Sequence, residues 1–201
     1  MIKRIYIDNY RCLTNFEIKP GSFQLWLGDN GSGKSSVCDA LRGIQSLLSG
    51  SPVGEIFTST SLTTWDTRRK QTFEISLQEA GDTYDYTLLI EHSAQEKATS
   101  IACEELKWNM QTFYLFDGHD VHLYRINRYN QQVEEGTSFP TKGGRSLLAT
   151  IDYRDDNTPL ITFRDSVAKL LFIQPVPTSI DQTAKAESPQ LQEKCQNFAG
   201  W

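Results

Sequence analysis

The alternation of apolar and polar positions changes regime along the chain. Ile5 and Ile7 share one face of a first strand that ends near Asn9-Tyr10-Arg11, and Phe16 and Ile18 alternate in a second that ends at Pro20-Gly21. These predict a hairpin. Phe23-Gln-Leu-Trp-Leu27 alternates again and predicts a further strand. The spacing then becomes helical, with Val37, Leu41, Ile44 and Leu48 on one face and Gly50 as the stop.

Ser49 to Gly54 is a linker of turn formers, and Thr58 to Thr67 is polar enough for a surface loop. From Thr72 the period returns to two. Phe73, Ile75 and Leu77 point one way, Glu79-Ala-Gly-Asp-Thr turns, and Tyr84, Tyr86, Leu88 and Ile90 come back. A second meander is predicted from Thr99–Leu106, Thr112–Phe116 and Val121–Ile126, with turns around Trp108-Asn-Met-Gln and at Asp117-Gly118. Ser146–Ile151 and Leu160–Ile173 carry spacing that favours helices, the latter ending before Pro175 and Pro177. Beyond Thr178 the composition turns polar, and Asp181–Gln196 reads as a linker or a helix. No repeat is present.

At 201 residues and 38% hydrophobic, the chain has the size of one globular domain with its own core. Its net charge of −5 gives no overall basic field for nucleic acid, which leaves only a local patch for that role. Met1-Ile-Lys-Arg-Ile-Tyr enters a strand without an apolar leader, and no run approaches membrane-spanning length, so a cytoplasmic protein with no membrane partner is expected. Cys12, Cys38, Cys103 and Cys195 stand far apart, as free thiols of a reducing compartment do.

Chemistry concentrates at Gly28-Asp29-Asn30-Gly31-Ser32-Gly33-Lys34-Ser35-Ser36. The spacing is that of a phosphate-binding loop. Its glycines let backbone N–H groups turn inward, Lys34 reaches terminal phosphates, and the Ser35 hydroxyl is offered to Mg²⁺. The predicted strand before it and helix after it place the phosphates of ATP at a helix N-terminus, where free N–H groups and the macrodipole favour anions. Arg11, at the end of the first strand, is a candidate nucleotide contact or an exposed turn arginine. Arg68-Arg69-Lys70 is a phosphate or nucleic-acid contact or a solvated loop.

Phe113-Tyr-Leu-Phe-Asp117 has the form of the second nucleotide motif, but Gly118 follows where a second acid is needed, so a hairpin turn is predicted instead. His119 and His122, spaced three apart on a strand, face opposite sides and are not expected to share a metal. Neither an apolar strand ending in Asp-Glu, nor a Ser-Gly-Gly signature loop, nor an Asn-Lys-x-Asp guanine motif is present. The catalytic residues are therefore left unassigned.

With Ile5-Tyr-Ile-Asp-Asn-Tyr-Arg-Cys-Leu13, Phe16 and Leu27 to Ser36, the start of the chain resembles the N-terminal lobe of ABC-type ATPases of the SMC, RecF and overcoming-lysogenisation branch. The stretch from Leu62 to Trp201 is similar to bacterial AAA-type ATPases of that branch through Leu62-Thr-Thr-Trp65, Glu105-Leu106, Leu123-Tyr124, Arg145-Ser-Leu-Leu148 and Asn197-Phe-Ala-Gly-Trp201. The resemblance implies an α/β fold: a P-loop NTPase N-terminal lobe, residues 1–178, with a phosphate-loop helix and an antiparallel β-rich subdomain over 72–126. Residues 179–201 would begin a second lobe. It implies that Gly28 to Ser36 and Arg11 bind ATP, that Ser35 meets Mg²⁺, and that hydrolysis needs the missing lobe, from a homodimer or a second chain. It also implies contact with nucleic acid through the complete assembly, in DNA repair or phage defence. A phosphate-loop strand without its neighbour predicts an exposed edge open to association. The alternatives are a non-catalytic interaction module, in which nucleotide only stabilises the fold, and a small P-loop kinase recruiting Arg125, Arg128 and Arg145.

Overall fold

The computed structural model describes residues 1–94, 98–173, 192 and 194–197. Met1–Ala168 forms one compact unit and Lys169–Trp201 a second. The sequence expectations for Pro175, Pro177 and most of Asp181–Gln196 lie outside the described residues, as does the end of Asn197–Trp201.

The first unit is built on an eight-stranded sheet in the order β2-β1-β3-β4-β5-β6-β7-β8. The strands are β1 (Ile2–Asp8), β2 (Phe16–Ile18), β3 (Lys70–Glu79), β4 (Asp82–His92), β5 (Thr99–Trp108), β6 (Gln111–Phe116), β7 (Asp120–Ile126) and β8 (Val133–Pro140). Each neighbouring pair is antiparallel. The two hairpins and the meander thus stand at their expected places, and β8 extends the meander by a strand that the sequence pattern did not announce.

Register explains the core. Ile7 pairs with Phe73 and Phe73 with Leu88, while Ile5 pairs with Ile75 and Ile75 with Tyr86, so alternate residues of successive strands share one inward face. All of these are buried. Each such side chain contributes about 1.5–3 kcal/mol by leaving water.

Helix α1 (Lys34–Leu48) buries Val37, Leu41, Ile44 and Leu48, the face its spacing marked out. Gly43 belongs to that face because a methyl group there would stand 2.7 Å from the Phe57 ring. Phe57, Tyr10 and Phe73 form an aromatic cluster beside it, with centroids 4.8 to 6.1 Å apart. Gly50, at φ 100°, ends the helix. A short helix α2 (Val53–Ile56) and a 3-10 turn at Ser59–Ser61 follow, where only linker and loop were expected.

Helix α3 (Thr158–Ala168) covers the next part of the sheet, with Phe163 stacked 5.1 Å from Tyr86. It ends sooner than the expected Ile173 because the Gln45 amide donates to the carbonyls of Val167 and Ala168, its last two residues. The helix expected over Ser146–Ile151 is only a 3-10 turn, Leu147–Ala149. Arg164 takes the Leu148 and Ile151 carbonyls that a continuing helix would use, and Ser146 Oγ donates to Glu104.

Glu104 is the least expected member of the core. It is fully buried, and accepts hydrogen bonds from Tyr86 at 2.7 Å, Tyr114 at 2.9 Å and Ser146 at 2.6 Å. Burial pushes its carboxyl pKa up, against the lowering effect of the three hydroxyls.

Candidate functional site

Residues Gly28 to Ser36 follow the irregular segment after β2 and lead into α1. Gly31 and Gly33 adopt φ of 86° and 93°, the left-handed region where a Cβ is disfavoured. Gly33 has a second constraint, since a Cβ on it would lie 2.8 Å from Leu13 Cδ2 and 3.2 Å from Cys12 Sγ. The bend after β1 therefore buttresses the loop. Ser36 Oγ lies 3.7 Å from Cys12 Sγ and continues that contact one turn into the helix.

Lys34 closes the loop. Its Nζ donates to the Gly28 carbonyl at 2.6 Å, the Asp29 carbonyl at 2.9 Å and Ser32 Oγ at 3.0 Å, so the ammonium sits inside a ring of oxygens from its own loop. No side chain caps the N-terminus of α1. Its first N–H groups and its dipole therefore face the same region as the ammonium, an arrangement suited to an anion. Ser35 is exposed in this first turn, whereas Ser36 is buried. Asp29, Asn30, Gly31 and Ser32 are all exposed, so the outer wall of the loop is open to a ligand.

Arg11 is brought to the same helix. It adopts φ 52°, its guanidinium is ion-paired with Asp39 of α1, and it lies 5.4 Å from the Tyr10 ring centroid. Its own N–H donates to the Ser61 carbonyl. Sequence reasoning missed Asp39, Cys12 and Leu13 as parts of this site. The signals for them were the place of Cys12 and Leu13 in the Ile5–Leu13 motif and the closeness of Asp39 to Lys34 in sequence.

Phe23–Leu27 departs from expectation: the segment is not a strand. Phe23, Leu25 and Leu27 are 91%, 72% and 84% exposed, and the buried Trp26 Nε1 has no hydrogen-bond partner. Alternation marks side chains suited to a sheet, but a strand also requires a neighbouring backbone, and β1 already has β2 and β3 on its two sides.

The bend at Asn9 is held by a buried polar network. Asn9 Nδ2 donates to the Arg68 and Lys70 carbonyls, and its Oδ1 accepts from the Thr63 N–H. Gln71 Nε2 donates to the Asn9 carbonyl, and Gln71 Oε1 lies 2.9 Å from His92 Nε2. The basic triplet is divided by this packing. Arg68 pairs with Asp8 and Asp66, Lys70 with Glu91, and Arg69 has no side-chain partner among the described residues. The Arg68 guanidinium, with the Asn15 and Asn9 N–H groups, holds the Asp8 carboxyl below the usual range against its partial burial.

Asp117 sits in the hairpin turn between β6 and β7, where one carboxylate oxygen accepts the N–H groups of His119 and Asp120. Four strand steps separate β6 from β1 in the sheet, roughly 19 Å at the usual spacing. The carboxylate is thus remote from the buttress of the phosphate loop. His122 lies 3.5 Å from Asp117 and 3.2 Å from Ser138 Oγ, and no metal-holding group of three ligands occurs among the described residues.

A family model described as an AAA ATPase domain matches residues 1–147. No curated protein matches the chain. Among solved structures, a chain of the recombination mediator protein RecF, in its RecF-ATPrS structure in the RecFOR pathway, aligns at 18% identity and a TM-score of 0.35, covering 56% of this chain and 27% of that one. A chain from a study of ATP-driven dimerization and DNA-stimulated activation of SMC ATPases aligns at 16% identity and a TM-score of 0.36, covering 55% of this chain and 70% of that one.

Proposed function

Because the chain belongs to the family of AAA ATPase domains, we propose that it is the Mg²⁺–ATP-binding lobe of an SMC/RecF-like ATPase, with Gly28 to Ser36 as its Walker A loop. The observation that carries this reading is the Lys34 ammonium held by the Gly28 and Asp29 carbonyls and Ser32 Oγ at the uncapped start of α1. Phosphate oxygens replace those neutral acceptors with charged ones, and such hydrogen bonds are roughly twice as strong. Binding then exchanges contacts around an ammonium already in place.

Mg²⁺ suits the oxygen donor at Ser35, which is exposed beside Lys34, because this ion keeps several waters and needs few protein ligands. When bound, it neutralises charge on the phosphoryl oxygens. Arg11 approaches the nucleotide by exchanging Asp39 for a phosphate oxygen.

Hydrolysis needs a carboxylate to orient water, supplied in this reading by another segment or chain. Asp39 is engaged by Arg11 and Arg42, and Asp117 by its own turn, which supports that division of labour. The exposed side chains of Phe23, Leu25 and Leu27 are the apolar surface on which a second copy or a second chain docks. Nucleic acid is contacted by that assembly, since the net charge of −5 gives the lobe no attractive field of its own. A cytoplasmic location fits, and no helix among the described residues is long and apolar enough to cross a membrane.

Single-turnover and steady-state assays on the full chain with Mg²⁺–ATP test the proposal. Binding without turnover supports it, whereas turnover abolished by Lys34→Ala places a catalytic carboxylate within this chain and contradicts the division. Absence of binding leaves the non-catalytic interaction module as the reading.

A further inference from the structure

A cavity of about 500 Å³ opens at the end of the sheet where β1 stops, between Gly54 of α2, the Ser59 turn, and Ala94 and Ala98 beside the ends of β4 and β5. Strand register puts it at that end. Asp8 pairs with Thr72 near the start of β3, Lys70 with Glu91 near the end of β4, and His92 with Thr99 at the start of β5.

Its walls have a definite chemistry. Arg69, Thr58, Ser59, His92 and Thr99 line it, and no carboxylate does so among the described residues. Arg68 and Lys70, on either side of Arg69, are neutralised by Asp8, Asp66 and Glu91, so among the described residues Arg69 is the one member of the triplet left with an uncompensated charge. The Ser59 hydroxyl also lacks a partner among the described residues, while Thr58 Oγ1 is shared with Thr60 at 2.7 Å.

His92 adds no charge to the cavity. Gln71 Nε2 is spent as a donor on Asn9 and Ser61, so its Oε1 accepts from His92 Nε2–H, and His92 Nδ1 accepts the Thr99 hydroxyl. Burial and the Arg69 charge both depress the His92 pKa and favour this neutral ring.

We propose that this cavity is a second anion site, which takes a small phosphate monoester with its phosphate held by the Arg69 guanidinium and the Ser59 hydroxyl. One guanidinium and hydroxyls on separate walls suit a tetrahedral oxyanion that accepts from several directions. A cavity of about 500 Å³ has room for an organic group of small-metabolite size beyond the phosphate. With its two basic neighbours already paired, the site lacks the run of cations that a nucleic-acid backbone requires. The Gln71–His92–Thr99 hydrogen bonds join the cavity wall to Asn9, at the bend that leads to Arg11 and the phosphate loop.

The test is a titration of the full chain with inorganic phosphate and with glycerol 3-phosphate at constant ionic strength, followed by amide chemical shifts. It is carried out in a Lys34→Ala background, so that the Gly28–Ser36 loop does not dominate the response. Saturable shifts at Ser59, Arg69 and Thr99 are expected, with the ester bound more tightly than inorganic phosphate. Arg69→Gln should weaken them by about tenfold or more. Because Arg69 is exposed and without a side-chain partner among the described residues, the variant should keep its melting temperature. Shifts confined to residues 28–36, equal binding by Arg69→Gln, or no saturation at the cavity would overturn the proposal.

Discussion

Leu13 is packed so closely against Gly33 that a methyl group on the glycine would stand 2.8 Å from Leu13 Cδ2. This contact ties the bend after β1 to the residue from which α1 begins, so the nucleotide loop takes its shape from the sheet. Gly33→Ala adds a steric clash to the strain of a residue at φ 93° and should cost about 1–3 kcal/mol of stability. Gly31→Ala meets nothing within 4 Å and pays the backbone strain alone. Denaturant unfolding of both variants checks this, with Gly33→Ala the more damaging; equal losses would mean that Leu13 is not a buttress.

Glu104 should make the protein less stable as pH rises. Its carboxyl pKa is raised in the folded state, so the folded chain holds this proton more tightly than the unfolded chain does. Stability from this group is fully present below the unfolded pKa, about 4.3, and is lost as pH climbs through the folded value. Glu104→Gln removes that titration and should flatten the decline that sets in above the unfolded value of about 4.3, measured by urea unfolding across a pH series. A decline of unchanged slope would place its origin elsewhere.

Asp8 works in the opposite sense. Its lowered carboxyl pKa contributes stability above the unfolded value, about 3.9, and that contribution disappears as pH falls through the folded value. Asp8→Asn should be less stable at neutral pH yet lose less on acidification, because its pairing with Arg68 is already gone. Unfolding midpoints at pH 7 and pH 3 give the comparison; a wild-type-sized acid loss in the variant would contradict it.

Phe163 anchors α3 through its stacking on Tyr86 and Tyr84. Phe163→Ala should cost about 3–5 kcal/mol, the usual range for a fully buried aromatic. Equilibrium unfolding tests this, and a loss below about 1 kcal/mol would show that α3 is not part of the cooperative core.

The sheet was legible wherever a strand is buried on one face, because half-burial writes alternation into the sequence. Phe73 to Leu77 and Tyr84 to Ile90 are plain examples. Phe23–Leu27 carries the same signature but forms no strand, since alternation describes what a side chain prefers and is silent on whether a neighbouring backbone is present. Val133–Pro140 failed in the opposite way. It is mostly exposed on the sheet edge, so no alternation was imposed on it. Glu104 was hidden because its donors, Tyr86, Tyr114 and Ser146, meet only in the folded chain. In the candidate site, Gly28 to Ser36 stood out because each position has a local chemical reason. The buttress at Cys12 and Leu13 depends on tertiary contact and left no such mark.

Calorimetric titration of the full chain with Mg²⁺–ATP, beside Lys34→Ala, tests the central claim most directly. A single saturable site, lost in Lys34→Ala at unchanged melting temperature, is the predicted result. Equal heats from the two proteins, or none from either, would contradict the assignment of Gly28 to Ser36 as a nucleotide site.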